Sequence, residues 1–349
     1  MEMGTKPPGR VNLIYGMIRG RTTLSEMSKA LNLSVSTVSK SLSDSQDIGV
    51  LTKKRVKEFA KKCHYKPNSF ASGLRNGHTK IIGLIIPNIL NPFYANALVG
   101  IEKHLNIQGY KLITSISHES SLKESKCMEM MASGYVDGLI MCLSKETQIK
   151  GKYDHFIRFK DQGLPLVLFD RINDNITCDK VIIDDFQASF DATEYLIKKR
   201  KCRKIALVSL INDFPHGKLR ADGYDSALRI NGMDLEEDYI VESNNVKDFK
   251  EKIKGLLKHK KVDGIFGVHE TATNITIHIS RSLGYDISKD LSIAAFCNPS
   301  QMAYNPTLTI VDQHAEKIGR ETAKIILDRI RKTNLKEYKT SIIRASLSE

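Results

Sequence analysis

"LNLSVSTVSKSL", residues 31–42, admits two readings. Leu31, Leu33 and Val35 alternate with polar residues, as in a half-buried strand, whereas Val35, Val38 and Leu42 step by three and four, the spacing of a helix. The flanking residues decide between them. Leu24, Met27, Ala30 and Leu31 fall on one helical face, "NLS" interrupts that face, and Ser34 is a good N-cap. One helix is therefore expected to end near Leu31, Leu33 to pack in the turn, and Val35, Val38 and Leu42 to form the buried stripe of the next. A third helix is expected over Lys53–Lys62 behind Thr52 as cap, burying Val56, Phe59 and Ala60 and exposing lysines. Two short helices joined by a tight turn and followed by a third make a helix-turn-helix domain, assigned to residues 21–66.

The apolar stripe fixes what the second helix shows to solvent. Ser36, Thr37 and Lys40 face outward with Ser39 beside them, and Ser34 sits at the leading end. Short hydroxyls that reach base edges and phosphates, with one long donor suited to guanine, are what a helix entering the major groove needs. Charge placement agrees. Of the formal net charge of +13, residues 1–80 carry 15 Lys and Arg against 5 Asp and Glu, while residues 81–349 carry 38 against 35. A basic N-terminal fifth on a nearly neutral body points to a module that binds a polyanion, attached to a separate scaffold.

At 349 residues the chain suits two or three domains. The six cysteines (Cys63, Cys127, Cys142, Cys178, Cys202 and Cys297) show no CxxC pair. Neither a disulfide framework nor a zinc site is expected, and a reducing cytoplasm fits. No apolar run approaches the roughly 20 residues of a membrane span, and "VNLIYGMIRG" is too short and interrupted for a signal-peptide core. Residues 1–20, with Pro7, Pro8, Gly9, Gly16 and Gly20, are read as a loosely ordered tail. Residues 67–79 are read as a linker to the first strand.

From Ile81 onward the chain alternates strand and helix. The strand-like runs are "IIGLII" (81–86), "KLITSI" (111–116), "VDGLIM" (136–141), "LPLVLF" (164–169), "KIALVS" (204–209), "DGIFGV" (263–268) and "LSIAAF" (291–296). Helical stretches at 94–108, 121–133, 187–200, 217–231 and 247–259 separate them. Continuous apolar strands spaced by helices specify parallel sheets covered on both faces, and the number of strands favours two doubly wound subdomains. Ligands of such sheets bind beyond the carboxyl ends of the strands. Asn91, Phe93 and Tyr94 follow the first strand, and Asp170 and Arg171 follow "LPLVLF", so these five are candidates for the rim of a ligand cleft.

"TLSEMSKALNLSVSTVSKSLSD" followed by "TKKRVKEFAKKCHYKPNSFASGLR" resembles the LacI/GalR family of bacterial transcription regulators. The likeness continues through "IIGLIIPNILNPFY", "VDGLIM", "LPLVLFDR", "VIIDD", "RADGY", "DLSIAAF" and "PTLTIVDQ", over about residues 22–345. It implies an all-α DNA-binding domain on a periplasmic-binding-protein-like α/β core, 80–349. The chain would cross between subdomains near Asp184–Phe186, near Val311–Gln313 and once more toward the C-terminus. The first subdomain would hold about 80–184 plus 312–332, the second about 185–311 plus 333–349. It also implies that Asn68, Ser69 and Leu74 belong to a hinge helix formed on DNA, with Leu74 wedged into the minor groove. Arg220 matches an arginine that grips effector hydroxyls or carboxylates. Two positions depart from the family pattern: His269-Glu270 stands where an Asn-Asp is usual, and Cys297-Asn298 where an aspartate pair is common. Carboxylates that bracket sugar hydroxyls are thus partly missing, and His269 and Asn298 are read as pocket hydrogen-bonding residues.

The expectation is a cytoplasmic, homodimeric regulator, a repressor of transcription, with no cofactor and no membrane partner. It would bind pseudo-palindromic double-stranded operator DNA under the control of a small-molecule effector, a sugar or sugar derivative by default. Three other readings compete with this one. A solute-binding protein of a transporter shares the core but leaves residues 22–75 without purpose. An enzyme is disfavoured, because no GxSxG, phosphate-binding glycine loop or HExxH is present and the acid pair Asp184-Asp185 sits at a strand end where charge is ordinarily solvated. DNA binding without any ligand is not separable by sequence.

Overall fold

The computed structural model describes residues 22–65, 78–287, 289–305, 307–332 and 337–348. The chain divides into two compact units, Met1–Gly77 and His78–Glu349.

In the first unit, α1 (Leu24–Leu31) opens with a capping box. The Thr23 hydroxyl accepts from the Glu26 N–H, and the Glu26 carboxylate accepts from the Thr23 N–H. Asn32, in the left-handed region at φ 53°, closes α1. Ser34 then caps α2 (Val35–Leu42), and α3 (Val50–Lys62) follows. Met27, Leu31, Val38, Val56 and Ala60 form the buried core, with Leu24, Leu33, Leu42, Phe59 and Tyr65 packed around it. The helical reading of 35–42 holds, with two corrections. Val35 is 42% exposed, so the buried stripe of α2 is Val38, Ser41 and Leu42 rather than one that includes Val35. At the first position of a helix the side chain leans toward the N-terminus and past the end of this small core. The third helix starts a turn early, behind Gly49 and without a side-chain cap, instead of behind Thr52.

The second unit contains two six-stranded sheets. The first comprises β1 (Ile81–Ile86), β2 (Lys111–Ile116), β3 (Gly138–Met141), β4 (Leu166–Phe169), β5 (Asp179–Ile183) and β11 (Thr340–Ile343). Its order is β11-β5-β4-β3-β1-β2, and every pairing is parallel. The second comprises β6 (Ile205–Ser209), β7 (Ile240–Glu242), β8 (Gly264–Gly267), β9 (Ser292–Phe296), β10 (Thr309–Asp312) and β12 (Ser346–Ser348). Its order is β12-β10-β9-β8-β6-β7, with only β12 antiparallel. In the first sheet Ile82, Leu84 and Ile86 of β1 join the apolar cluster of one face, while Ile81 and Ile85 join Met128, Met131, Phe156 and Phe159 on the other. In the second, Ile205 and Leu207 face one cluster, and Ala206 and Val208 face Phe249, Ile253 and Ala272. That two-sided burial is why these strands read as unbroken apolar runs.

Helices α4 (Pro92–Ile107) and α5 (Ser121–Ala132) follow β1 and β2, and α6 (Lys145–Lys150) and α7 (Asp154–Asp161) lie between β3 and β4. Helices α8 (Asp185–Lys198), α9 (Pro215–Ile230), α10 (Val246–His259) and α11 (Glu270–Ser282) belong to the second lobe, and α12 (Ala315–Arg331) returns to the first, against α4, β3, β4 and β5. Two glycines let α4 and α12 touch backbone to backbone. A Cβ at Gly100 would stand 2.0 Å from the Glu316 oxygen, and one at Gly319 would stand 2.0 Å from the Ala97 oxygen.

The chain leaves the first lobe after β5, returns after β10 and crosses again between β11 and β12. The third crossing corrects the expected division, which gave all of 333–349 to the second subdomain. Thr340–Ile343 pairs in parallel with Lys180–Ile183 of the first sheet, and only Ser346–Ser348 joins the second.

Candidate functional site

Two places gather the side chains singled out by sequence. On α2 the Ser34 Oγ accepts from the Thr37 N–H at 3.0 Å and lies 2.8 Å from the hydroxyls of both Ser36 and Thr37. Three hydroxyls therefore cluster at the N-terminus of α2, where four backbone N–H groups lack intrahelical partners and an anion is favoured. Ser39 is half-buried, and Lys40 is exposed with its ammonium 2.8 Å from Asp47. Sequence reasoning missed Val35 as part of this surface, because its i, i+3 relation to Val38 assigned it to the core. Asn68, Ser69 and Leu74 lie outside the described residues.

In the second unit the carboxyl ends of β1, β4, β8, β9 and β10 bound one cleft of about 850 Å³, and Asn91, Phe93, Tyr94, Asp170, Arg171, Arg220, His269 and Asn298 all line it. Asn91 caps α4, its Oδ1 accepting from the Phe93 N–H at 3.0 Å. Phe93 and Tyr94 meet edge to face at 5.4 Å. The Tyr94 hydroxyl donates to Asp170 Oδ2 at 3.2 Å, with the Cys142 thiol 3.6 Å from both. Asp170 adopts a left-handed backbone (φ 61°), an uncommon conformation for a residue with a side chain. Burial raises its pKa, and Arg171 and Arg220 oppose that rise.

Arg220 is 4% exposed and already engaged. Its Nε donates to Asp185 Oδ1 at 2.7 Å, Nη1 to the Val268 carbonyl at 2.7 Å and Nη2 to Gln313 Oε1 at 3.1 Å, with the guanidinium 3.6 Å over the Phe296 ring. Arg220 lies in the second turn of α9, which begins at Pro215, two residues before the expected 217. One expectation about charge changes here. Asp185 is 8% exposed, not solvated, because it is the counter-charge of Arg220; only Asp184 plays the strand-end part, capping α8 through the Gln187 N–H. Arg171 is likewise paired, its Nη1 2.7 Å from Glu119 Oε2.

His269 precedes α11, and burial together with Arg220 lowers its pKa to about 3. His216, absent from the sequence-based set, also lines the cleft, and burial followed by Arg220, Arg171 and His269 holds its pKa well below the ordinary range. Glu270 accepts from the Asn298 N–H at 3.0 Å and from Gln301 Nε2 at 2.8 Å, tying the ends of β8 and β9 together. Asn298 spends its Oδ1 on the Ser300 N–H. Asn96, Thr271, Asn274 and Phe296 also line the cleft without having been singled out. They sit on helices or inside a strand, where a lone amide or ring carries no local signal. Among the described residues no group of three His, Cys, Asp or Glu could hold a metal ion, and no helix is long and apolar enough to cross a membrane.

Residues 79–348 match the family described as "Periplasmic binding proteins and sugar binding domain of LacI family". The chain is 31% identical over 310 residues to the catabolite control protein A of Priestia megaterium, covering 87% of this chain and 91% of that protein. It is 26% identical to the ribose operon repressor of Bacillus subtilis, covering 90% and 94%. Among solved structures, a LacI-family transcriptional regulator from Silicibacter pomeroyi aligns with a TM-score of 0.75 at 21% identity, covering 94% of this chain and 98% of that one. A transcriptional regulator CelR–cellobiose complex aligns at 0.67 and 23%, covering 94% and 99%. With the helix-turn-helix unit, the paired lobes and the polar cleft all in one chain, these matches establish that the protein belongs to the LacI family of transcription regulators.

Proposed function

We propose that the chain represses transcription as a cytoplasmic homodimer, and that a carbohydrate bound in the cleft sets its affinity for a pseudo-palindromic operator. It acts by binding, not by catalysis. In this reading Ser34, Ser36, Thr37, Ser39 and Lys40 contact DNA, with half-sites about one helical turn apart. Asn68, Ser69 and Leu74 of the linker also contact DNA, Leu74 by wedging into the minor groove.

One observation carries the choice of ligand: the two arginines that lie deep in the cleft wall are matched within the protein, while the cations Lys317 and Arg320 of α12 are exposed. Arg220 faces Asp185 and Arg171 faces Glu119, so the ligand need bring no net charge. Among the groups that can meet it are the amides of Asn96 and Asn274, the Thr271 hydroxyl and two neutral imidazoles, His216 and His269. These suit hydroxyl groups, and the half-buried ring of Phe93 suits the C–H face of a pyranose or furanose. The ribose operon repressor and the cellobiose-bound CelR regulator point to the same class of ligand.

The test selects a duplex site from a random pool with the whole protein, then titrates it by fluorescence anisotropy with and without neutral mono- and disaccharides, cellobiose and ribose included. One or more sugars should change operator affinity at least fivefold, the lower end of ordinary allosteric coupling. A selected site whose affinity no neutral sugar alters, while a charged metabolite does, would overturn the ligand class. Failure to select any site would overturn the regulator reading.

A further inference from the structure

Beside the cleft residues Arg171 and His216, one ring of the second lobe packs on two cations of the first. Phe214, the residue before α9, is 4% exposed and has the Lys145 ammonium 5.4 Å from its ring centroid and the Arg171 guanidinium 4.6 Å from it. Lys145 opens α6 after β3, and Arg171 follows β4, so both cations come from the first lobe. Glu119 holds the two together. Its Oε2 accepts from the Lys145 backbone N–H and from Arg171 Nη1, each at 2.7 Å, and its own carbonyl accepts from the Glu146 N–H at 3.3 Å. To place that carboxylate the loop after β2 puts two successive side-chain-bearing residues in the left-handed region, His118 (φ 52°) and Glu119 (φ 61°). Backbone of that kind persists where surrounding contacts hold it, and it gathers at functional segments. On the second lobe the Phe214 N–H donates to the Ile211 carbonyl at 3.0 Å, and the His216 ring stands 5.3 Å away.

We propose that Phe214 is an interlobe latch and a positioning residue of the cleft: its ring, held by Lys145 and Arg171, ties the second lobe to the first and keeps the Arg171 guanidinium in the cleft wall. Dispersion alone does not select two cations for one phenyl face. A ring quadrupole does, and the attraction strengthens when the cations lose water. Glu119 neutralises part of the charge that Phe214 would otherwise gather, and so lets two like charges share one ring. The latch half of the proposal belongs to the ligand-free chain. The positioning half rests on the reading of the cleft as the effector site.

The test is isosteric fluorination of Phe214 by codon suppression in the full chain, with one, two and three ring fluorines. Fluorination drains the ring face stepwise and leaves the side chain's shape nearly intact, so packing and fold are retained. Hydrogen exchange is read on peptides covering 117–121 and 143–148, whose Lys145 amide is bonded to Glu119 in the opposite lobe from the substitution. Exchange there should rise with each fluorine, reaching on the order of tenfold for the trifluoro ring. Phe214→Leu should match the trifluoro protein at those peptides. A flat series, or a rise confined to 209–217 in the second lobe, would overturn the latch. The positioning half is read separately with cellobiose or ribose, whichever the whole protein binds. Its affinity should fall along the same series, and an affinity unchanged while exchange rises would leave a latch with no role in positioning. Should neither sugar bind the unsubstituted protein, the neutral saccharide that alters operator affinity takes their place, and the exchange series decides the latch by itself.

Discussion

Replacing Arg220 with methionine tests the most heavily engaged charge in the cleft. Methionine keeps much of the side-chain volume, so the loss is mainly polar: the Nε bond to Asp185 at 2.7 Å, the Nη1 bond to the Val268 carbonyl at 2.7 Å and the Nη2 bond to Gln313 at 3.1 Å. Asp185, 8% exposed, is left without its counter-charge. Stranding one member of a buried pair costs about 3–5 kcal/mol, far more than the net worth of the intact pair. Equilibrium urea denaturation followed by far-UV circular dichroism should register that loss. Adding Asp185→Asn should restore about 1–3 kcal/mol of it, because the buried charge is then gone. The pH dependence supplies an independent check. Burial already raises the Asp185 pKa even with Arg220 in place. A carboxyl whose pKa is raised on folding binds its proton more tightly in the folded state, so it favours folding more as pH falls. Removing Arg220 raises that pKa further, so the deficit of the variant should narrow between pH 7 and pH 5. A variant as stable as the parent, or a deficit that ignores both pH and Asp185→Asn, would refute the buried-pair reasoning.

Other consequences are open to measurement. Lys40→Ala should cost about 1–3 kcal/mol on a selected operator and much less on random duplex, and an equal loss on both would show that Lys40 touches only phosphate. Gly100→Ala places a methyl 2.0 Å from the Glu316 oxygen, so α4 and α12 must part, and thermal melting should show a loss of about 1–3 kcal/mol. The buried Glu124 carboxylate accepts from the Ser144 N–H at 2.6 Å, from the Thr147 hydroxyl at 2.6 Å and lies 2.9 Å from His155 Nε2. Glu124→Leu should therefore destabilise by at least about 2 kcal/mol, since several buried donors lose their acceptor. His269, lowered to about 3, and His216, also lowered, stay neutral from pH 6 to 8, so sugar affinity should be flat across that range. Because the unfolded imidazoles take their protons near pH 6.5 and the folded ones do not, stability should fall as pH drops below about 6.5.

The order of elements was legible wherever burial was two-sided or a cap was conventional. "IIGLII" and "KIALVS" read as strands because both faces are covered, and Ser34 announced α2 by its hydroxyl. The short strands β7, β11 and β12 carry no such pattern. "TSII" alternates exposure along an edge, and three residues such as "SLS" are too few to show any period. Their membership depends on pairing partners distant in sequence, which is why the third crossing fell later than expected. Helix α6 has only six residues, and α11 turns Thr273, Thr276 and Ser280 inward with its apolar residues, so neither shows an unbroken apolar face. Helices α7 and α12 do carry apolar faces, through Phe156 and Phe159 and through Ile318, Ala323, Ile326 and Leu327, yet they were not among the expected helices. In the cleft the rim residues after β1 and β4 followed from strand position alone. His216 and Asp185 did not, because the first matters only through its neighbours and the second only through an arginine 35 residues away.

The arrangement of Arg220 bears on how any loss of ligand response should be interpreted. One guanidinium contacts Asp185 just past the first crossing between lobes, Gln313 at the second, and the carbonyl that ends β8. It therefore braces the second lobe at the two crossings before it is a ligand contact. Arg171 is similarly divided between Glu119, Phe214 and the cleft. A substitution at either residue changes the relation of the lobes and the wall of the pocket together, so silence toward a sugar would not distinguish lost contact from altered closure. Asn274 and Thr271 offer the cleaner separation. Both face the cleft from α11, and neither carries a charge whose removal strands a partner. Asn274→Ala should weaken a bound sugar by about 1–3 kcal/mol, the cost of leaving ligand hydroxyls unpaired. Thermal melting of the ligand-free variant should match the parent within about 0.5 kcal/mol, as for a side chain outside the packed core. If ligand-free stability falls as far as affinity does, Asn274 supports the lobe itself, and the cleft wall is then built from structural residues throughout rather than from a ligand-facing set.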